Sequence, residues 1–116
     1  MRTLQEWQRA NSGDAEIVQR CKAAVCAAAG AAKVILYGSR ARAEQPWDSD
    51  MDLLVLLPGS PTEATEKRVR EVLFEIELDV EVVISPIIMT EADFHPEGDE
   101  WSIPWSRNVS REGILI

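Results

Sequence analysis

The sequence predicts an α+β domain, a small mixed β-sheet with helices packed on it. Two observations carry that prediction. Short, apolar, β-rich runs (residues 34–37 and 51–57) alternate with segments whose apolar residues recur at helical spacing. Gly or Pro stands at most of the boundaries between them, at Gly30, Gly38, Pro46 and Pro58-Gly59. A length of 116 residues and a mass of 13.0 kDa suit one domain with one core.

The elements follow in order. Residues 1–13 read as a polar lead with one helical turn around Leu4 and Trp7, ahead of a single domain over 14–116. Ser12 or Asp14 can cap the next helix. Over 15–29 the residues Ile17, Val18, Cys21, Val25 and Ala28 make one stripe of an alanine-rich helix, and Gly30 stops it. Residues 34–37 form a buried strand that ends in Gly38-Ser39, and a short helix starts at Ser39. Residues 44–49 form a loop around Pro46, shaped by Asp48 and Ser49, and 51–57 form a second strand.

Ser60-Pro61-Thr62-Glu63 predicts a helix start with a capping serine, proline at the first position and glutamate at the third. Thr65, Val69, Val72, Leu73 and Ile76 line the buried face of that helix. Residues 78–84 predict a third strand, continuing past Pro86 towards Met89, and Thr90 caps a turn through Asp93. A polar loop over 97–102, a last helix over 104–112 and a final strand over 113–116 complete the chain.

Composition narrows the function. Twenty acidic residues against twelve basic ones give a net charge of -8. Nucleic-acid and anionic-membrane binding both need a basic footprint, which this balance lacks. No apolar run approaches the roughly 20 residues of a membrane span, and the start carries no secretory signal. Cys21 and Cys26, five apart, fall on different faces of a helix, out of disulfide reach, so the reading is a reduced, cytoplasmic protein. The one histidine, His95, sits in a polar stretch as an exposed side chain. Four tryptophans among seven aromatics suit an interface or core packing.

The chemistry lies between Val34 and Leu57. A strand ends in Gly38-Ser39, and ten residues after Ser39 comes Asp50-Met51-Asp52. Glycine lets the backbone approach a ligand closely. A helix starting just after it directs unpaired N–H groups outward, where they bind phosphate oxygens, and the Ser39 hydroxyl adds another donor. Asp50 and Asp52, two apart on a strand, put their carboxylates on one face, followed by Leu54 and Leu56. Such a pair is costly to bury unless a cation joins it, and carboxylates plus phosphate oxygens suit Mg²⁺. The parts describe a site for a Mg-triphosphate and in-line attack at phosphorus. Arg40 and Arg42 suit phosphate contacts or helix-surface charges equally.

The Gly38-Ser39 and Asp50-x-Asp52 spacing resembles the signature of the DNA polymerase β-like nucleotidyltransferases. The stretches Leu36-Tyr37-Gly38-Ser39-Arg40-Ala41-Arg42 and Asp48-Ser49-Asp50-Met51-Asp52-Leu53-Leu54 are similar to the minimal nucleotidyltransferases, short proteins often paired with a HEPN-domain toxin. Thr90-Glu91-Ala92-Asp93-Phe94 and the stretch 108–114 resemble the same group's ending, so the likeness spans 34–116. It implies transfer of a nucleoside monophosphate from an NTP, commonly ATP, to an acceptor such as a side chain of the partner toxin, which is thereby silenced. By matching positions, Gly38, Ser39 and Arg40 hold the nucleotide, and Asp50 and Asp52 hold the metal.

Two departures stand out. Ala43 replaces a glycine common in the motif. The family also draws a third carboxylate from the next strand. On a strand over 78–84, Asp79 and Glu81 both qualify, with Glu81 favoured because it lies deeper in the apolar run. Alignment through Phe94 instead puts Ser85 at that position, leaving it without a carboxylate. Two functions therefore compete: an enzyme that modifies a partner, and a catalytically degenerate module that neutralises a partner by occlusion. Transfer to a small molecule would need a second domain or a homodimer to hold the acceptor.

Overall fold

The computed structural model describes residues 1–8, 12–42, 50–95 and 103–116. Ala43, Trp101 and the whole of the expected loops over 44–49, with Asp48 and Ser49, and 97–102 lie outside the described residues. Five strands form one mixed sheet among these residues, and five helices accompany it. The α+β expectation holds.

The first difference lies at the start. The stretch expected to be a polar lead is built into the fold. Strand β1 (Arg2–Thr3) pairs in parallel with β5 (Ile114–Leu115), and α1 (Leu4–Gln8) puts Trp7 into the core at 1% exposure. Burying an aromatic of that size accounts for the anchoring of an otherwise polar segment.

Helix α2 (Ser12–Ala29) starts ahead of the expected residue 15 and buries Ala15, Val18, Cys21 and Val25. It ends where Gly30, at φ +83°, donates its N–H to the Cys26 carbonyl. Both cysteines are free thiols. Burial raises the Cys21 thiol to a pKa of about 11, so it behaves as a small core residue.

Strand β2 (Lys33–Tyr37) leads through Gly38 into α3 (Ser39–Arg42), and β3 (Met51–Leu57) returns antiparallel to β2. Helix α4 (Glu63–Val80) follows, with Thr62 rather than Ser60 as its cap. The Thr62 hydroxyl accepts the Thr65 N–H. Its buried residues are Val69, Val72, Leu73 and Ile76, the expected stripe without Thr65.

The largest correction concerns residues 78–84. Of these only Ile84 lies on a strand, and residues 78–83 do not. Helix α4 runs on to Val80 and ends at Glu81, which takes the left-handed conformation (φ 58°, ψ 34°). The alternation Leu78, Val80, Val82, Ile84 fits a strand, but Ile76 and Val80 also continue the 69-72-73-76 helical stripe into the core. Helical packing against α2 and the sheet wins, because local periodicity is a weaker constraint than tertiary burial. Strand β4 (Ile84–Thr90) begins only afterwards, parallel to β3. Thr90 then caps the turn Glu91–Asp93 as expected, α5 (Ile103–Glu112) follows, and β5 closes the sheet beside β2.

The strand order is β1-β5-β2-β3-β4. Alternation divides the sheet into two faces. One face, with Val34, Leu36, Leu53, Val55 and Leu57, packs under α2 and α4 in the main core. The other carries Ile35, Leu54 and Leu56 against Val109 of α5, edged by Tyr37, Met89, Phe94 and Trp105. Asp52 shares this second face with Leu54 and Leu56. Among the described residues no helix is long and apolar enough to cross a membrane.

Candidate active site

The site forms where β2 ends and β3 begins. The antiparallel register sets Tyr37 opposite Asp52, so Gly38 arrives next to the Asp52 carboxylate. Two facts make glycine necessary here. Its φ is +79°, a region that costs an L side chain about 1–2 kcal/mol. A Cβ on Gly38 would also lie 2.5 Å from Asp52 Oδ2. The carboxylate occupies the space a side chain would fill, and the glycine backbone closes over it.

Asp52 is partly buried and Asp50 is exposed. Burial first, and the Asp50 charge second, push the Asp52 carboxyl above its ordinary pKa. No cation among the described residues is paired with either carboxylate. Tyr37 is likewise pushed up, by burial and then by the Asp52 charge, against a lowering hydrogen bond from Trp105. Two aspartates two residues apart, one of them destabilised in its charged form, are a donor set that a hard divalent cation suits.

On the far side of Asp52 stands β4. The parallel register puts Ser85 opposite Asp52, and its hydroxyl donates to Asp50 Oδ2 at 3.3 Å. This is the position reached by alignment through Phe94. Glu81, favoured from the sequence, lies on no strand. It is the exposed C-cap of α4, because the helix continues through the stretch expected to be β. Asp79 is turned to α2, where it is paired with Arg20 at the surface. Among the described residues no group of three or more His, Cys, Asp or Glu gathers to hold a metal ion.

The remaining expected residues divide. Ser39 opens α3 and is half-buried beside Gly38. Arg40 points inward. Its guanidinium bonds Asp14 of α2 at 2.9 Å, with side-chain exposures of 5% and 18%. A charge that close to the core needs a buried partner, and Asp14 supplies it. Arg42 pairs with Glu112 of α5 at 3.0 Å. His95 is exposed, as expected.

Sequence reading missed how α3 is held. Four residues make a weak helix, with a turn bond from the Arg42 N–H to the Gly38 carbonyl at 3.2 Å. The Ala41 carbonyl accepts from Trp7 Nε1 at 3.2 Å and from the Arg2 guanidinium at 2.8 Å. Ala41 itself is fully buried. The start of the chain, the Asp14–Arg40 pair and the core thus fix the turn that presents Gly38 and Ser39. Partners separated by 26 to 39 positions leave no local pattern to find.

Tyr37, Trp105 and Phe94 were also missed as a group. Trp105 meets Tyr37 edge-to-face at 5.9 Å and Phe94 at 6.3 Å. Together they wall the second sheet face next to Gly38.

The profile of the family described as "Nucleotidyltransferase domain" matches residues 18–110, which include both halves of the site. A protein of Methanocaldococcus jannaschii bearing the name "Putative protein adenylyltransferase" is 36% identical over 56 residues. That match covers 48% of this chain and 57% of the relative, so the chain matches little more than half the relative's length. No solved structure is significantly similar. With the family profile covering most of the chain and a glycine backbone closed over a paired carboxylate at the motif, this chain belongs to the nucleotidyltransferase domain family.

Proposed function

We propose that the chain transfers AMP from ATP to a hydroxyl of a protein acceptor, with Gly38 and Ser39 holding the triphosphate and Asp50 and Asp52 holding Mg²⁺. The observation that carries this reading is the apposition of Gly38 to the Asp52 carboxylate. It brings the backbone where phosphates approach within reach of the group that would hold their counter-ion. The relative's name supports the choice of an adenylyl group and a protein acceptor. The bound metal would supply charge neutralisation at the α-phosphate.

The chain's own residues do the rest. The braced turn at Ser39–Arg42 keeps N–H donors and the Ser39 hydroxyl in one place. Asp52, raised in pKa by burial and by Asp50, exchanges an unfavourable charge for a favourable one when a cation enters. The acceptor oxygen forms a bond to the α-phosphorus, the bond to pyrophosphate breaks, and pyrophosphate and a proton are released.

The acceptor fits a HEPN-domain toxin silenced by the modification, which makes this chain an antitoxin acting in the cytoplasm. The net charge of -8 favours a basic protein surface over nucleic acid, and a homodimer is compatible with the same site. The test is to incubate the chain with its genomic neighbour, ATP and Mg²⁺ and weigh the neighbour. A gain of one AMP, lost in Asp50→Asn/Asp52→Asn, is expected. An unmodified, verified native partner would sink the reading.

One observation favours a second reading. Ser85 stands where a third carboxylate would face Asp52. A fold without that group can still bind nucleotide and neutralise a partner by covering it. Neutralisation that survives Asp50→Asn/Asp52→Asn unchanged would select this reading over the first.

A further inference from the structure

Beside Gly38, on the open face of the sheet, lies a concavity of about 160 Å³. Tyr37, Gly38 and Trp105 line it, together with Arg42, Asn108 and Glu112. Small-molecule sites usually span about 300–1,000 Å³, so this one suits a single planar ring system and not a whole nucleotide. Its walls differ in chemistry. Tyr37 and Trp105 offer aromatic surface, their rings meeting edge-to-face with centroids 5.9 Å apart. Arg42 and Glu112 are already paired, at 3.0 Å.

Asn108 is the unexplained member. It is exposed on α5, and its side chain has no hydrogen-bond partner among the described residues. Asparagine is a poor helix former, so helix propensity does not account for it there. Its amide presents a donor and an acceptor together, which matches the edge of a nucleobase. A simple hydroxyl acceptor would use only one of the two.

We propose that this cavity is the nucleobase subsite, with the ring against Tyr37 and Trp105 and its polar edge read by Asn108. The inference rests on the reading that Gly38 and Ser39 hold a triphosphate, and Gly38 is common to both sites. A nucleotide whose phosphates lie over Gly38 extends its nucleoside along this face. The same wall could instead receive an aromatic side chain of the acceptor protein, and the experiment separates the two.

Calorimetric titrations of wild type, Asn108→Ala and Trp105→Phe would use Mg-ATP and, in parallel, Mg-tripolyphosphate, which has no base. The expected result is a roughly tenfold weaker Kd for Mg-ATP in Asn108→Ala, the scale of one lost base contact, with Mg-tripolyphosphate unchanged. Mg-ATP should also quench indole emission in wild type more than in Trp105→Phe, since Trp105 touches the ligand directly. Equal Mg-ATP affinity in wild type and Asn108→Ala would overturn the base subsite and leave the triphosphate site standing, as would a fall of both ligands together. Wild type binding tripolyphosphate as tightly as ATP would hand the cavity to another ring. Wild type binding neither ligand would remove the triphosphate reading itself, and the subsite with it.

Discussion

Asp52 has two flanks, and they are built differently. On the β2 side, Gly38 closes over its carboxylate, and the following turn is tied down by Asp14, Trp7 and Arg2. On the β4 side stands one serine hydroxyl, bonded to Asp50. The braced flank is the one that would meet phosphates. The sparse flank is where a group receiving the acceptor's proton would stand. On the proposed reading, nucleotide binding and chemistry are separable in this chain, and each flank can be broken without the other.

The largest effect is expected at the shared centre. Asp50→Asn/Asp52→Asn should lower transfer by about 10³-fold, several kcal/mol of lost charge stabilisation. Quantitative mass spectrometry of the acceptor reads it. A double variant retaining more than a tenth of wild-type transfer would place the chemistry elsewhere.

The brace comes next. Asp14→Ala leaves the Arg40 charge, 5% exposed at its side chain, without this carboxylate. Removing one member of such a part-buried, charge-assisted pair costs about 1.5–3 kcal/mol. Urea unfolding monitored by tryptophan emission should show it as a large drop in midpoint. The surface pair of Arg20 and Asp79 is the control, since exposed pairs contribute at most about 1 kcal/mol. Equal losses for Asp14→Ala and Arg20→Ala would mean that the brace stabilises nothing.

Gly38→Ala should cost about 1–2 kcal/mol from the backbone alone. Its Cβ must also displace the Asp52 carboxylate, so Mg-ATP binding should fall by more than stability explains. On the other flank, Ser85→Asp adds a carboxylate opposite Asp52. An added proton acceptor should speed transfer roughly tenfold, below the usual range for an evolved general base. An unchanged rate would show that the β4 flank does not limit turnover.

How far the sequence reveals these flanks follows from the physics of each. The apposition of Gly38 to the aspartate pair was legible because it depends on local geometry: a strand end, a turn, and an i, i+2 pair on one face. Met51–Leu57 was legible in full because an apolar run of that length, interrupted only by Asp52, fits a buried strand. Residues 78–84 were not. Their alternation satisfies both periods, and only the packing of Val80 into the core decides for helix. That single ambiguity displaced the third-carboxylate expectation onto Glu81. The structural partner of Arg40 was hidden for a related reason. An arginine after Gly-Ser suits a phosphate, and nothing local reveals an Asp14 side chain waiting 26 positions away.

The smallest expected effect concerns the metal-free protein and runs against intuition. The Asp52 carboxyl is raised in the folded state by burial and by Asp50. The folded protein therefore holds that proton more tightly than the unfolded chain does. Stability should fall as pH rises from the ordinary aspartate value through the raised one, and the deficit then persists to neutral pH. Asp52→Asn removes the charge but keeps the shape, so in metal-free buffer at neutral pH its urea midpoint should lie slightly above wild type. Adding Mg-ATP should reverse the order, because only wild type gains a ligand. If Asp52→Asn is less stable than wild type without metal, the carboxylate is serving the fold, and its cost is not being kept for a cation.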